Sequence, residues 1–172
     1  MAVSAPPTRD EAASYYFRYI DRVGDGDIVA RLETQMGEAL GFFSAIPEEK
    51  SLHRYAPDKW SLRQLLNHVN DSERVFLSRA FWFARGFDTP LPSYDQEACV
   101  AAAKADSVSW ADHVEDFRSV RLATVSFFRN LPEEAWARNG IASGNPFTVR
   151  ALAYIIAGHL EHHRAVAEEK YF

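Results

Sequence analysis

The sequence predicts an all-α protein, a four-helix bundle with long connections. Three observations lead there. Four stretches of roughly 18–25 residues carry apolar side chains at helical spacing. Each of the four follows a side chain suited to helix capping, and three of them stop at or just before a Gly or Pro. No segment sustains the two-residue alternation of a half-buried strand, and no hairpin dipeptide separates two apolar runs, so no sheet is expected.

The elements follow in order. Residues 1–8, MAVSAPPT, are small, polar and Pro-containing and read as a loose tail. A short helix is expected over 9–20, and Gly24 and Gly26 then break the chain. Asp27 caps a helix from Ile28 to Ala45, which stops before Pro47. Residues 48–59, with Pro57, read as a loop. Ser61 and Gln64 form a capping box for a helix running to Arg85, with Gly86 as its stop. A long connection with Pro90 and Pro92 follows, holding a helical turn around Glu97 to Lys104. Ser109 with Asp112 opens the helix Trp110 to Leu131, which Pro132 ends. After a loop with Gly140, Gly144 and Pro146, Thr148 caps the last helix, Val149 to Lys170. Gly37, Gly41 and Gly158 sit inside helical patterns, where Gly is unfavourable relative to Ala. The connections 86–108 and 132–147 are expected to shape any pocket. There is no internal repeat, and residues 1–172 are expected to form a single domain.

Composition excludes several classes. At 172 residues, 47% hydrophobic and 25% charged, the chain can bury a substantial core. A net charge of -5 supplies no basic footprint for nucleic acid and no attraction to an anionic membrane surface. The single cysteine, Cys99, excludes an internal disulfide and a cysteine-based metal cluster. The start of the chain has neither the basic nor the apolar region of a signal peptide. The longest near-apolar run, 151–158, is far short of the ~20 residues of a membrane helix. A cytoplasmic location is expected. Serine-triad, phosphate-loop and dinucleotide fingerprints are absent. The aromatic runs Tyr15-Tyr16-Phe17, Phe42-Phe43 and Phe127-Phe128 read as core or dimer interface.

Six histidines remain, at 53, 68, 113, 159, 162 and 163. On a helical wheel the apolar stripe of the last helix, with Leu152, Ile155, Ile156 and Val166, centres on His159. His163 lies roughly 40° from it and His162 roughly 60° away on the other side, while Glu161 points outward. His159 and His163 thus share the buried stripe one turn apart, the i, i+4 spacing that brings two imidazoles to one ion. His162 falls at the rim. His68 lies on the inward stripe of the helix after Ser61, with Ser72 and Arg79. Two adjacent buried imidazoles without an ion leave nitrogens in need of partners, which favours a metal. Three histidines on two helices leave one side of an ion open, as catalytic sites require.

The segments that carry these histidines resemble two signatures of the DinB superfamily, in its YfiT-like and DinB-2-type branch. Lys59 to Gly86 matches the first: Trp60-Ser61 at a helix start, then His68, Asp71, Glu73 and Arg79. Phe147 to Tyr171 matches the second, a terminal helix carrying Gly158-His159 and His162-His163. The resemblance implies an up-down-down-up four-helix bundle and a divalent metal, nickel or zinc, held by His68, His159 and His163. It also implies a homodimer in many members. The activities it implies are metal-dependent hydrolysis of a small, unidentified substrate or transfer involving a low-molecular-weight thiol such as bacillithiol or mycothiol. A non-catalytic bundle that binds metal or ligand is the third reading.

No Glu stands in a metalloprotease-like position, because Glu161 faces outward. A base, if used, would be Asp71 or Glu73, with Asp71 nearer the His68 stripe; interhelical or surface ion pairs are the expected role of both. Arg79 is placed to hold a substrate carboxylate, with an internal salt bridge as its expected role. Cys99 reads as inert, so a thiol would have to come from outside.

Overall fold

The computed structural model describes residues 5–172. Its frame is four long helices: α2 (Ile28–Ser44), α3 (Leu62–Ala84), α5 (Trp110–Arg129) and α6 (Val149–Lys170). Two short helices, α1 (Phe17–Ile20) and α4 (Gln96–Ala103), lie in the connections. The capping signals act as read. The Asp27 carboxylate accepts from the amides of Val29 and Ala30. Ser61 and Gln64 complete their reciprocal box, and the Ser109 and Thr148 hydroxyls each accept from the third residue on.

Each of α2 and α3 packs on both α5 and α6. Contacts along the chain give the directions. Trp110 donates to the Phe43 carbonyl and Arg121 to the Leu32 carbonyl, so α2 and α5 are antiparallel. Asn70 meets the His113 carbonyl while Phe81 meets Phe127, so α3 and α5 run parallel. His68 faces His159 while Tyr171 reaches the Trp60 carbonyl, so α3 and α6 are antiparallel. The connectivity is therefore up-down-down-up, as expected.

Two expectations are corrected. The helix expected over 9–20 is reduced to a 3-10 turn at Ser14–Tyr16 and the four-residue α1. Its first half is not helical: the Glu11 amide donates to the Thr8 carbonyl across a turn, Ala12 forms a β-bridge with Phe147, and the Glu11 carbonyl accepts from the Thr148 amide. Of the segment read as a tail, residues 1–4 lie outside the described residues, while Pro7 is buried and the Thr8 amide donates to Glu11. The second correction is a sheet. Strands β1 (Asn139–Ala142) and β2 (Asn145–Thr148) form an antiparallel hairpin around Ser143-Gly144. Both turn residues have positive φ, 53° and 72°, as a type I′ turn requires. Neither strand alternates in polarity and one carries Pro146, so the periodicity test had nothing to detect. Leu91 adds a parallel bridge to Ala142, docking the long connection on this hairpin.

The core is divided by a polar layer. One apolar cluster gathers α1, the hairpin and the first half of α6; the other holds Phe43, Leu66, Trp110, Phe117 and Leu160. Between them, each helix contributes polar side chains: Gln35 on α2, His68 and Glu73 on α3, Arg121 on α5 and His159 on α6, all buried. Arg121 clasps Glu73 with two bonds of 2.8 Å and donates to Gln35 at 2.7 Å. Gln35 in turn donates to the Ala157 carbonyl and to Glu161, both at 2.9 Å.

Removing one partner of a buried pair leaves the other charge uncompensated, which costs about 3–5 kcal/mol, whereas an apolar replacement of both can be neutral. Arg121→Met is therefore expected to destabilise the protein by about that amount in chemical denaturation. The double variant Glu73→Leu/Arg121→Met should recover much of the loss, and an additive double-mutant cycle would contradict this account.

Candidate metal centre

His68 comes from the middle of α3, and His159 and His163 from successive turns of α6. Because α3 and α6 are antiparallel neighbours, the three rings converge. The Nε2 atoms of His68 and His159 lie 3.2 Å apart, and those of His159 and His163 lie 3.1 Å apart. Among the described residues these three form the one histidine or carboxylate group able to hold a metal, with ligand atoms all within 4.8 Å of one another. His162 is outside it; its ring lies against Tyr19 at 5.5 Å. His113 donates from Nε2 to the Ala105 carbonyl at 2.9 Å and so serves the loop there.

Burial holds the three imidazoles neutral. It pushes the pKa of His68 down to about 4 and that of His163 to about 3, and lowers His159 well below its ordinary value. Neighbouring histidines add to the effect. Neutral rings cannot satisfy this arrangement alone. The His159 Nε2 carries either one proton or one lone pair, so it can make one of its two contacts a hydrogen bond, not both. His163 Nδ1 is also buried without a partner. A divalent cation resolves the conflict at the Nε2 atoms by accepting three lone pairs. Ligands at ~2.0–2.1 Å in tetrahedral array stand ~3.3–3.4 Å apart, close to the spacing found here. The residues therefore fit a metal.

Surrounding groups orient the rings. The Tyr94 and Ser72 hydroxyls, 2.8 Å apart, face His68 Nδ1 at 3.4 and 3.5 Å. An Nδ1–H donated to them leaves the Nε2 lone pair directed at the other histidines. Trp60 packs 4.8 Å from the His68 ring. On α6, Gly158 permits α1 to approach: a Cβ there would stand 2.0 Å from the Tyr19 carbonyl oxygen. Tyr19 consequently lies edge-on to His159 at 5.2 Å.

A cavity of about 140 Å³ opens beside His68 and His159. Its other walls are Tyr15, Tyr16 and Tyr19, Ser72, Phe76 and Arg79 of α3, Tyr94 and Gln96 of the long connection, and Ser143 of the hairpin turn. Both connections expected to shape the pocket thus do so. The Tyr15-Tyr16 run, read from sequence as core or interface, lines this cavity instead. Tyr94 carries no sequence signal, since nothing local ties it to a histidine 26 positions away.

The other candidates are placed as follows. Asp71 accepts from Asn67 and pairs with Arg74 at the surface, and Glu73 is locked by Arg121; both make the ion pairs expected of them. Glu161 is taken by Arg31 and Arg164. Arg79 departs from expectation. It is buried, yet it makes no salt bridge among the described residues; its Nη2 donates to the Pro92 carbonyl at 3.2 Å and to Ser143 Oγ at 2.8 Å.

Fold and site together define a helical bundle with a histidine triad, two of whose members line an open cavity. The family model of the DinB superfamily matches residues 31–167, and the chain belongs to that superfamily. No functionally curated protein matches it in sequence. Among solved structures it is similar to YfiT from Bacillus subtilis, described as a probable metal-dependent hydrolase with an unusual four-helix bundle topology. The identity is 15%, with 96% of this chain and 91% of that one covered and a TM-score of 0.70. It is also similar to a mycothiol-dependent maleylpyruvate isomerase, at 10% identity and a TM-score of 0.67. That match covers 80% of this chain and 58% of the other. At these identities the likeness establishes the shared fold. No helix is long and apolar enough to cross a membrane among the described residues.

The depressed pKa values fix a pH dependence for metal-free protein. Below about 6.5 the unfolded chain takes up protons on these histidines, while folded His68 resists until about 4. Stability is then lost as pH falls from about 6.5 toward 4, and it levels off below the folded values. The urea midpoint of chelator-treated protein should drop between pH 7.5 and 5.5, and drop less in His159→Leu. A midpoint equally flat in both proteins would contradict the neutral buried triad.

Proposed function

We propose that this chain is a metal-dependent enzyme acting on a small molecule, with a divalent ion, zinc or nickel, held by His68, His159 and His163. The observation that carries the reading is the convergence of three neutral imidazole nitrogens, two of them on buried histidines that line an open cavity. When bound, such an ion acidifies a coordinated water toward pKa ~7, polarises a carbonyl oxygen or stabilises a thiolate. The chain's own residues do the rest. Tyr94 and Ser72 fix the His68 tautomer, Tyr19 and Phe76 keep the cavity walls apolar near the triad, and Arg79 and the tyrosine hydroxyls offer donors to a substrate.

Hydrolysis is the first reading, supported by the likeness to YfiT. Transfer or isomerisation with an external thiol is the second, and a specific observation favours keeping it. No carboxylate lines the cavity among the described residues, so no evident general base stands ready to deprotonate a water. A thiol needs less help, because its pKa of ~8.5 already lies near neutrality.

Purified protein is expected to carry about one divalent ion per chain, filling one open site. His159→Ala should abolish retention after dialysis, whereas His162→Ala should keep it. Elemental analysis that finds no zinc or nickel after loading, or the reverse order of the two variants, would overturn the assignment. Ester and amide substrates should then be screened with and without added low-molecular-weight thiols. Turnover independent of thiol decides for hydrolysis, and turnover only with thiol decides for transfer. A metal-loaded protein inactive in both arms would favour a binding role.

A further inference from the structure

The chain buries three arginines, Arg63, Arg79 and Arg121. Two of them come with their own carboxylates: Arg63 pairs with Glu48 and Arg121 with Glu73. Arg79 does not. It is 4% exposed, it lines the cavity, and its hydrogen-bond partners among the described residues are a carbonyl and a hydroxyl, both reached from Nη2. A guanidinium cannot shed its proton at physiological pH, so a buried one without a counter-charge is costly. The cavity itself offers no compensation. Its lining holds no Asp or Glu, and Arg79 is the one formally charged side chain in it. The remaining polar groups are neutral: burial raises the pKa of the Tyr16 and Tyr94 phenols, outweighing the opposing pull of Arg79 on both.

We propose that Arg79 is the anion-binding residue of this cavity, and that the substrate is a small carboxylate that docks its carboxylate group on Arg79. The inference rests on the triad being the reactive centre, and it adds the substrate class. Phe76 separates the two ends. Its ring lies 5.9 Å from the Arg79 guanidinium carbon and 6.0 Å from the His159 ring. The carboxylate and the reacting group therefore sit at opposite ends of the substrate, with an apolar stretch along Phe76 between them. A single guanidinium flanked by neutral partners matches one negative charge. A phosphate dianion would call for a second cation, which the side chains of the lining do not supply. The volume of about 140 Å³ suits a few carbon atoms beyond the carboxylate. Arg79 also braces the site, since Pro92 and Ser143 hold the long connection and the hairpin turn against it.

The test uses butyrate, its neutral counterpart butyramide, and inorganic phosphate, titrated into chelator-treated and zinc-loaded protein. The readouts are the Arg79 side-chain Nε–H resonance, assigned through Arg79→Lys, and calorimetric affinity. Butyrate is expected to shift the resonance saturably in both forms, and butyramide to leave it in place. Arg79→Gln should weaken butyrate at least tenfold, with Arg79→Lys falling between it and the parent. Equal response to butyrate and butyramide in the unmutated protein overturns the proposal without relying on any variant that might misfold. So does tighter binding of phosphate than of butyrate to the chelator-treated protein, or butyrate binding that needs zinc and survives Arg79→Gln, which would place the carboxylate on the metal. Failure of zinc to bind would instead remove the metal-enzyme reading, while the zinc-free titration still decides the role of Arg79.

Discussion

The Arg121 guanidinium is the point on which the bundle's geometry depends. It reaches Glu73 on α3 and both Leu32 and Gln35 on α2, and Gln35 carries the connection to α6 through Ala157 and Glu161. One buried residue thus sets the relative height of all four helices. Apolar packing alone would tolerate a sliding register, because Leu and Phe contacts are non-directional. A bidentate pair in a dry core does not. Once Glu73 and Ala157 are fixed, His68 and His159 follow, being five residues and two residues away on the same rigid helices. The polar layer therefore supplies the positional accuracy that three converging imidazoles need.

That accuracy is bought with stability. Three neutral imidazoles, an ion pair and a lone guanidinium interrupt the core between its two apolar clusters. Each desolvated group weakens the fold unless it finds a partner. The ion pair finds one internally. The converging Nε2 atoms and the Arg79 charge do not, and His68, His159 and Arg79 line the same cavity. Groups left unsatisfied in a folded protein are the groups that gain most when a ligand arrives, since binding then supplies what folding withheld. Metal and substrate are accordingly expected to stabilise the native state as they bind.

Much of this was legible in local sequence. Asp27, Ser61 with Gln64, Ser109 and Thr148 announce four helix starts because a cap acts within three residues of itself. His159 and His163 announce their pairing because i, i+4 spacing is a property of one helix. What was not legible depends on distant chain. The Ser143-Gly144 hairpin has weakly patterned strands that are held by Leu91 and Ala12. The segment before Ser14 is non-helical because the hairpin captures Glu11 and Ala12. Tyr94 reaches His68 from a connection with no periodicity. Arg79 carries the sharpest lesson. Its stripe was readable, but whether an acid faces it was not, and the ordinary expectation of a salt bridge proved wrong. A missing partner leaves no mark in the sequence.

The sign of charge at the site follows from these particulars. Three neutral histidines contribute no negative charge to a divalent ion, so the centre would keep its full +2, unlike sites that include a carboxylate ligand. Arg79 adds a further positive charge and no lining residue subtracts any. The chain as a whole carries a net charge of -5, yet its cavity is positive. An anion is therefore repelled weakly by the distant surface, where salt screens it, and attracted strongly inside, where screening is poor. Neutral molecules gain nothing from that contrast.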